Sequence, residues 1–253
     1  MIEFMNVSKA FGSKIVLNDI SFRVGSGEIV FVIGKSGMGK SVLLKNIVGL
    51  IEPDSGKIFV NEKQVTGLSE EEFFEVRRYC GMIFQLPALL DSLNIFENMA
   101  FGLQALKLVD TEEELEDVIL TNLSLVNLRE DVLTKFPQEL SYGMQKRVSL
   151  ARTLALKPKY LLFDEPTTSL DPVSTHTIND LIFRLSRKLN VTSIVVSHDM
   201  HCAIEIADRV FLLDEGKIVF EGPPAGLKES TLPLVKEFMI DALAKVDDNR
   251  EGE

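Results

Sequence analysis

The 253-residue chain is 45% hydrophobic, enough to build the core of one large domain or two small ones. Its 27 Lys and Arg against 38 Asp and Glu leave a net charge of -11, which argues against a partner held mainly through nucleic-acid phosphates and against direct adhesion to anionic lipid. Cys80 and Cys202 are the only cysteines, without paired spacing or a Cys/His cluster, so neither a disulfide framework nor a zinc site is expected.

From the N-terminus, Ile2 to Ser8 and Ile15 to Val24 read as antiparallel edge strands around a turn at Gly12-Ser13. The start shows no basic region followed by an apolar run, and no stretch approaches the length of a membrane span. The expectation is a cytoplasmic chain whose membrane role, if it has one, needs a second subunit. The strand Ile29 to Ile33 then runs into Gly34-Lys35-Ser36-Gly37-Met38-Gly39-Lys40-Ser41-Val42, and a helical pattern covers Ser41 to Leu50. A strand, G-x-x-x-x-G-K-S and a helix in that order is the context of a phosphate-binding loop. Glycines let the backbone N–H groups turn toward phosphate oxygens, Lys40 reaches the terminal phosphates, and the Ser41 hydroxyl suits Mg²⁺. The loop alone leaves kinases, GTPases and motor ATPases open.

Between Pro87 and Ser141 the strand signal disappears, and Glu112 to Val126 has the pattern of a charged amphipathic helix. An inserted helical subdomain is expected there. Ser141 then caps a helix predicted over Tyr142 to Lys157. A reciprocal capping box would place Glu or Gln at the third helical position, but Met144 stands there, so the helix start at Ser141 and Gly143 suits an external anion such as a phosphate of ATP. Because Ser141 lies beyond the insert, that nucleotide is expected on another copy of the chain.

The strand Tyr160 to Phe163 ends in Asp164-Glu165, which delivers two carboxylates to the carboxyl edge of a parallel sheet. Asp164 is expected to hold the metal and Glu165 to orient and deprotonate a water. A helix over Pro172 to Leu189, a strand over Ser193 to Val196, a helix over Met200 to Ala207 and a strand over Val210 to Leu213 complete the alternation expected of a covered parallel sheet.

These motifs, in this order over about residues 1 to 230, resemble the ATP-binding subunit of ABC transporters, whose signature turn LSGGQ here reads Leu140-Ser141-Tyr142-Gly143-Met144. The resemblance implies an α/β fold: a P-loop NTPase (RecA-like) parallel-sheet core with an N-terminal antiparallel β-subdomain and an inserted α-helical subdomain. In numbers it implies a core at 1–86 and 146–230 and a helical subdomain with the signature at 87–145; beyond it, the apolar stripe gives a C-terminal helix at 231–246 and the polar composition a disordered tail at 247–253. It implies a head-to-tail dimer closing on two ATP molecules with Mg²⁺. Residue by residue, Phe11 matches the aromatic that stacks on adenine, Gln85 the link from Mg²⁺ and water to the transmembrane partner, Asp171 the subunit-contacting loop, and His198 the γ-phosphate contact. Tyr142 replaces a glycine; as the first helical residue it needs no left-handed backbone, and its ring is expected against the opposing subunit.

Within the family, "GKSVLLKNIVGL", "RRYCGMIFQLPALLDSLNIFENMAFGL", "ELSYGMQKR" and "LPLVKEFM" are similar to the Mla/Mce group. That similarity implies lipid or phospholipid movement between membranes, with this chain held at the cytoplasmic face of the inner (plasma) membrane by a transmembrane permease and an Mce-domain substrate-binding protein beyond it. Leu86 to Phe96 is the expected receptor for the permease. The stripe Leu234, Val235, Phe238, Met239, Ile240 and Leu243 is expected to dock either on its own domain or on a partner. No N-K-x-D motif supports a GTPase, and no long coiled coil or zinc module separates the phosphate loop from the signature. Regulation of cell-wall hydrolases through a membrane partner, lipoprotein release and amino-acid import remain as alternatives.

Overall fold

The computed structural model describes residues 1–238, and the chain divides into two compact units, Met1–Val76 together with the residues from Thr192 on, and Arg77–Val191.

In the first unit Ile2–Phe11 (β1) and Lys14–Val24 (β2) pair antiparallel around the Gly12-Ser13 turn, with Phe11 opposite Lys14. Phe4 faces Phe22 across the pair, their rings stacked 4.6 Å apart, a cross-strand contact that fixes the register. Ile29–Ile33 (β3) is buried at all five positions. Lys40–Ile47 (α1) follows the phosphate loop, and Ser55–Val60 (β4) and Lys63–Gln64 (β5) complete a sheet ordered β2-β1-β4-β5. Glu70–Arg77 (α2) leads toward the second unit.

The second unit contains Cys80–Ile83 (β6), Ile95–Ala105 (α3), Glu112–Leu125 (α4), Tyr142–Ala155 (α5), Tyr160–Asp164 (β7) and Pro172–Leu189 (α6). Strands β6 and β7 are parallel. Gly81 lets α5 lie close against β6, because a Cβ there would stand 2.4 Å from Thr153 Cγ2 of α5. The expected absence of strands from 87 to 141 holds. In their place α3 and α4 pack on α5, burying Met99, Leu103, Ile119 and Leu123. Helix α3 begins with a reciprocal cap: Asn94 Oδ1 accepts from Glu97 N–H at 2.9 Å, and Glu97 Oε2 accepts from Asn94 N–H at 2.8 Å.

The chain returns to the first unit through Thr192–Ser197 (β8), Met200–Ile206 (α7), Arg209–Asp214 (β9), Lys217–Gly222 (β10) and Pro224–Glu229 (α8). Strand β3 lies between β8 and β9 in parallel register, which is why it is apolar on both faces. The β9–β10 hairpin closes through Glu215-Gly216, both at positive φ (43° and 75°), as a two-residue turn compatible with strand twist requires.

The observed ends differ from the expected ones by a few residues: α5 stops at Ala155, not Lys157, and α7 at Ile206, not Ala207. Strands β4, β5, β6 and β10 and helices α2 and α8 carry no expectation from sequence, and α3 falls within the expected helical subdomain without bounds of its own. They are short or half-exposed, and Gly56 in β4 takes φ 88° with Asn6 O only 2.4 Å from where a Cβ would stand. Positions 233–238 are helical, with Val235 and Phe238 buried and Glu237 paired to Lys35 at 2.8 Å. This part of the C-terminal stripe docks on its own chain. Met239, Ile240, Leu243 and the expected tail lie outside the described residues. No helix among the described residues is long and apolar enough to cross a membrane.

Candidate nucleotide site

The phosphate loop is shaped by close approaches that only glycine allows. A Cβ on Gly34 would stand 2.4 Å from Leu213 O, and one on Gly39, at φ 98°, would stand 2.6 Å from Val16 O. Gly37, at φ 78°, would meet nothing within 4 Å, so there glycine serves the backbone conformation and leaves the side facing away from the protein open. The start of α1 has no side-chain cap, the arrangement in which the first turn of a helix can receive an anion. Lys40 is 5% exposed, and its ammonium donates to Gly34 O at 2.8 Å and Lys35 O at 3.1 Å. The loop thus holds its own cation where a phosphate oxygen can replace two carbonyls. Lys35 and Ser36 are exposed, Met38 is half-buried, and Ser41 and Val42 open α1.

Two other predicted residues belong to this unit. Phe11 ends β1 with half its surface exposed, and Lys9 Nζ sits 5.4 Å from its ring centroid. His198 is exposed just after β8. The next residue, Asp199, caps α7 by accepting from His201 N–H at 3.0 Å and Cys202 N–H at 3.3 Å.

The second unit holds Gln85, Ser141, Gly143, Asp164, Glu165 and Asp171. Asp164 is buried at the end of β7. Glu165 has φ 50°, a left-handed backbone that costs a non-glycine residue about 1–3 kcal/mol and is concentrated at functional sites. Its Oε2 accepts from Thr168 Oγ1 at 3.3 Å. Asp171 precedes Pro172 and caps α6, accepting from Ser174 N–H at 2.9 Å and Ser174 Oγ at 2.5 Å. These hydrogen bonds hold the Asp171 carboxyl below the usual carboxylate range.

Around α5 the cap and the helix start are as the sequence leads one to expect. Ser141 is the N-cap, its Oγ accepting from Met144 N–H at 3.3 Å, with no reciprocal side chain. Tyr142 is absent from the positive-φ positions, so the glycine-to-tyrosine departure introduces no backbone strain. Within the chain its hydroxyl donates to Gln85 O at 3.1 Å, and Lys146 Nζ lies 5.5 Å from the ring centroid. Gly143 likewise makes room for the chain's own Ser174, whose Oγ would be 2.8 Å from a Cβ at 143. Gln145, next to the methionine that replaces the family's Gln, donates to Pro137 O at 2.9 Å and Leu140 O at 3.1 Å and braces the turn from behind.

Two residues that sequence reading missed organise this unit. Lys146 is 2% exposed and its ammonium also donates to Gln85 O. Burial pushes it down to about 8, partly offset by the Asp164 carboxylate. Asn98 is fully buried in α3 and clasps the preceding segment: Nδ2 donates to Leu90 O, Leu93 O and Asn94 O, each at 3.0 Å, while Oδ1 accepts from Leu90 N–H at 2.8 Å. A lysine amid "QKR" and an asparagine in an apolar helix look like solvated surface in sequence; a polar residue interrupting the buried face of α3 was the one available signal.

Residues 17–168 match the ABC transporter family model. The chain belongs to the ABC transporter ATPase family. It is 36% identical over 238 residues to the probable ribonucleotide transport ATP-binding protein Mkl of Mycobacterium tuberculosis, spanning 94% of this chain and 66%, just under two thirds, of that protein. It is 37% identical to the intermembrane phospholipid transport ATP-binding protein MlaF of Haemophilus influenzae (94% and 90% covered) and 39% to the methionine import ATP-binding protein MetN of Carboxydothermus hydrogenoformans (90% and 67%). Among solved structures it resembles the dimeric bacterial ABC transporter cassette MJ0796 with TM-score 0.82 and 30% identity, covering 88% of this chain and 99% of that one. A second form of that cassette, in a post-hydrolysis state with ADP and Pi, gives TM-score 0.79. As an ABC ATPase this chain has the P-loop NTPase fold read from its sequence and binds ATP.

Proposed function

We propose that this chain is the ATP-hydrolysing subunit of a lipid transporter, working as a head-to-tail dimer beneath a membrane permease at the cytoplasmic face of the inner membrane. One observation carries the hydrolytic part: a glycine-enforced phosphate cradle occurs in the same chain as β7, which ends in a buried Asp164 and in Glu165 at positive φ. The ring of Phe11 stacks on adenine. Lys40 exchanges its two carbonyls for β- and γ-phosphate oxygens, and the loop N–H groups from Gly34 to Val42 hold the rest of the phosphate chain. Glu165 takes the proton of the attacking water, Gln85 orients that water, and His198 donates to the γ-phosphate. Ser141 and Gly143, with Asp171, close the site of the other copy, as an anion at a helix N-terminus is favoured.

The hard oxygen donors Ser41, Gln85 and Asp164 fit Mg²⁺ in chemistry. When bound, the ion neutralises charge developing on the phosphates.

Lipid as cargo is supported by the similarity to MlaF over nearly the whole of both chains, and with it a permease and an Mce-domain binding protein as partners. A second reading, amino-acid import, is favoured by the similarity to MetN. The deciding experiment is copurification of the intact membrane complex with mass spectrometry of what it carries. Bound phospholipid and an Mce-domain protein are expected; a complex that carries an amino acid and a soluble binding protein overturns the lipid reading and leaves the ATPase intact.

A further inference from the structure

Helix α5 places Tyr142 and Lys146 four residues apart, on one face and one turn from each other. Both side chains end on the same acceptor outside the helix. The Tyr142 hydroxyl donates to Gln85 O at 3.1 Å, and the Lys146 ammonium donates to that oxygen and approaches Phe84 O at 3.5 Å. The ammonium also lies 5.5 Å from the tyrosine ring centroid, so each donor steadies the other. A carbonyl oxygen has two lone pairs, and two donors from different directions fix its peptide plane as one donor cannot. Gln85 itself is exposed, in the segment that follows β6. Without these two bonds its backbone would have the freedom of a surface loop.

We propose that Tyr142 is a positioning residue that, together with Lys146, pins the Gln85 peptide to the first turn of α5, so that the signature turn and the Gln85 amide move as one piece. The inference rests on the proposed roles of Gln85 and Ser141. The family's glycine at 142 has no donor, and Lys146 alone would then hold the carbonyl. The tyrosine ring is only half-buried, so its weight is in this hydroxyl rather than in the core.

The test uses the full chain and Tyr142→Phe, which keeps the ring over Lys146 and removes only the donor. In the nucleotide-free protein, hydrogen exchange across positions 84–88 is expected to speed by about 2- to 10-fold, the range of one net hydrogen bond, with the rest of the chain unchanged. Lys146→Met is expected to speed the same segment. In ATP turnover kcat is expected to fall by about 3- to 10-fold while KM for ATP moves by less than about twofold. In a Gln85→Ala background the same substitution is expected to change kcat by less than about 1.5-fold, because a residue acting through Gln85 has nothing left to act on. Unaltered exchange at 84–88 overturns the pin whether or not the protein hydrolyses ATP, and so does an undiminished fall in kcat when Gln85 is already alanine. Faster exchange in a chain that lacks ATP turnover upholds the pin and removes instead the reading of the site as hydrolytic.

Discussion

Gly143 and Ser174 stand so close that a Cβ on the glycine would lie 2.8 Å from Ser174 Oγ and 3.2 Å from Ser174 Cβ. That hydroxyl is in turn 2.5 Å from Asp171 Oδ2, the cap of α6. The signature turn and the loop at Asp171 are therefore packed as one surface. Gly143→Ala should force Ser174 outward and loosen the cap, destabilising the protein by about 1–3 kcal/mol. Thermal unfolding checks this, and Gly143→Ala with Ser174→Gly should relieve the clash and recover part of the loss, the bond to Asp171 Oδ2 going with the hydroxyl. Failure of the double variant to recover would mean the glycine is needed for some other reason.

Glu165→Gln should keep ATP binding while lowering turnover by about 10²- to 10⁴-fold, the range for loss of a general base. The left-handed backbone at φ 50° tolerates glutamine no worse than glutamate, so stability should change little. Equilibrium nucleotide binding beside single-turnover hydrolysis separates the two effects; turnover near that of the wild type would remove Glu165 from the chemistry.

Asn98→Ala strips the clasp from Leu90, Leu93 and Asn94 and leaves their carbonyls without this donor. The expected cost is about 1–3 kcal/mol, read by denaturant titration. Because the loosened segment is the proposed permease receptor, the larger effect should be on ATPase activity stimulated by the permease, with the basal rate of the isolated chain within about twofold of wild type.

Lys146 gives a pH dependence whose sign follows from its burial. Its ammonium titrates at about 8 when folded against 10.5 for the free side chain. Between those values the unfolded chain binds more protons, so the folded state gains stability as pH rises from about 8 to 10.5. Below pH 8 the full cost of the buried charge is present. Compared with Lys146→Met across that range, the wild type should gain up to about 3 kcal/mol on going to pH 10.5. Urea unfolding of both proteins at a series of pH values measures the difference, and parallel curves would show that the ammonium is not desolvated.

The phosphate loop was legible because its chemistry is local: Gly34, Gly37 and Gly39 with Lys40 and Ser41 carry their meaning within eight residues. So was β7, where four apolar residues run into Asp164-Glu165. Strand β10 was missed although Glu215-Gly216 supplies a hairpin turn, because its half-exposed residues carry little burial signal. Strand β6 was missed because four residues, one of them glycine, are too few for a period of two to register.

Sequence by itself determined the order of the motifs, the family, and the cap at Ser141, each of which depends on residues within a few positions of one another. It left undecided what Tyr142, Gly143, Lys146 and Asn98 touch. Tyr142 and Gln85 are 57 residues apart and Gly143 and Ser174 are 31, so neither pairing leaves a local pattern, and only the packing of α5 against β6 and α6 brings them within bonding distance. A helix start reads as a cap from its own residues; which backbone its outward side chains grip is settled by whatever the folded chain lays beside it.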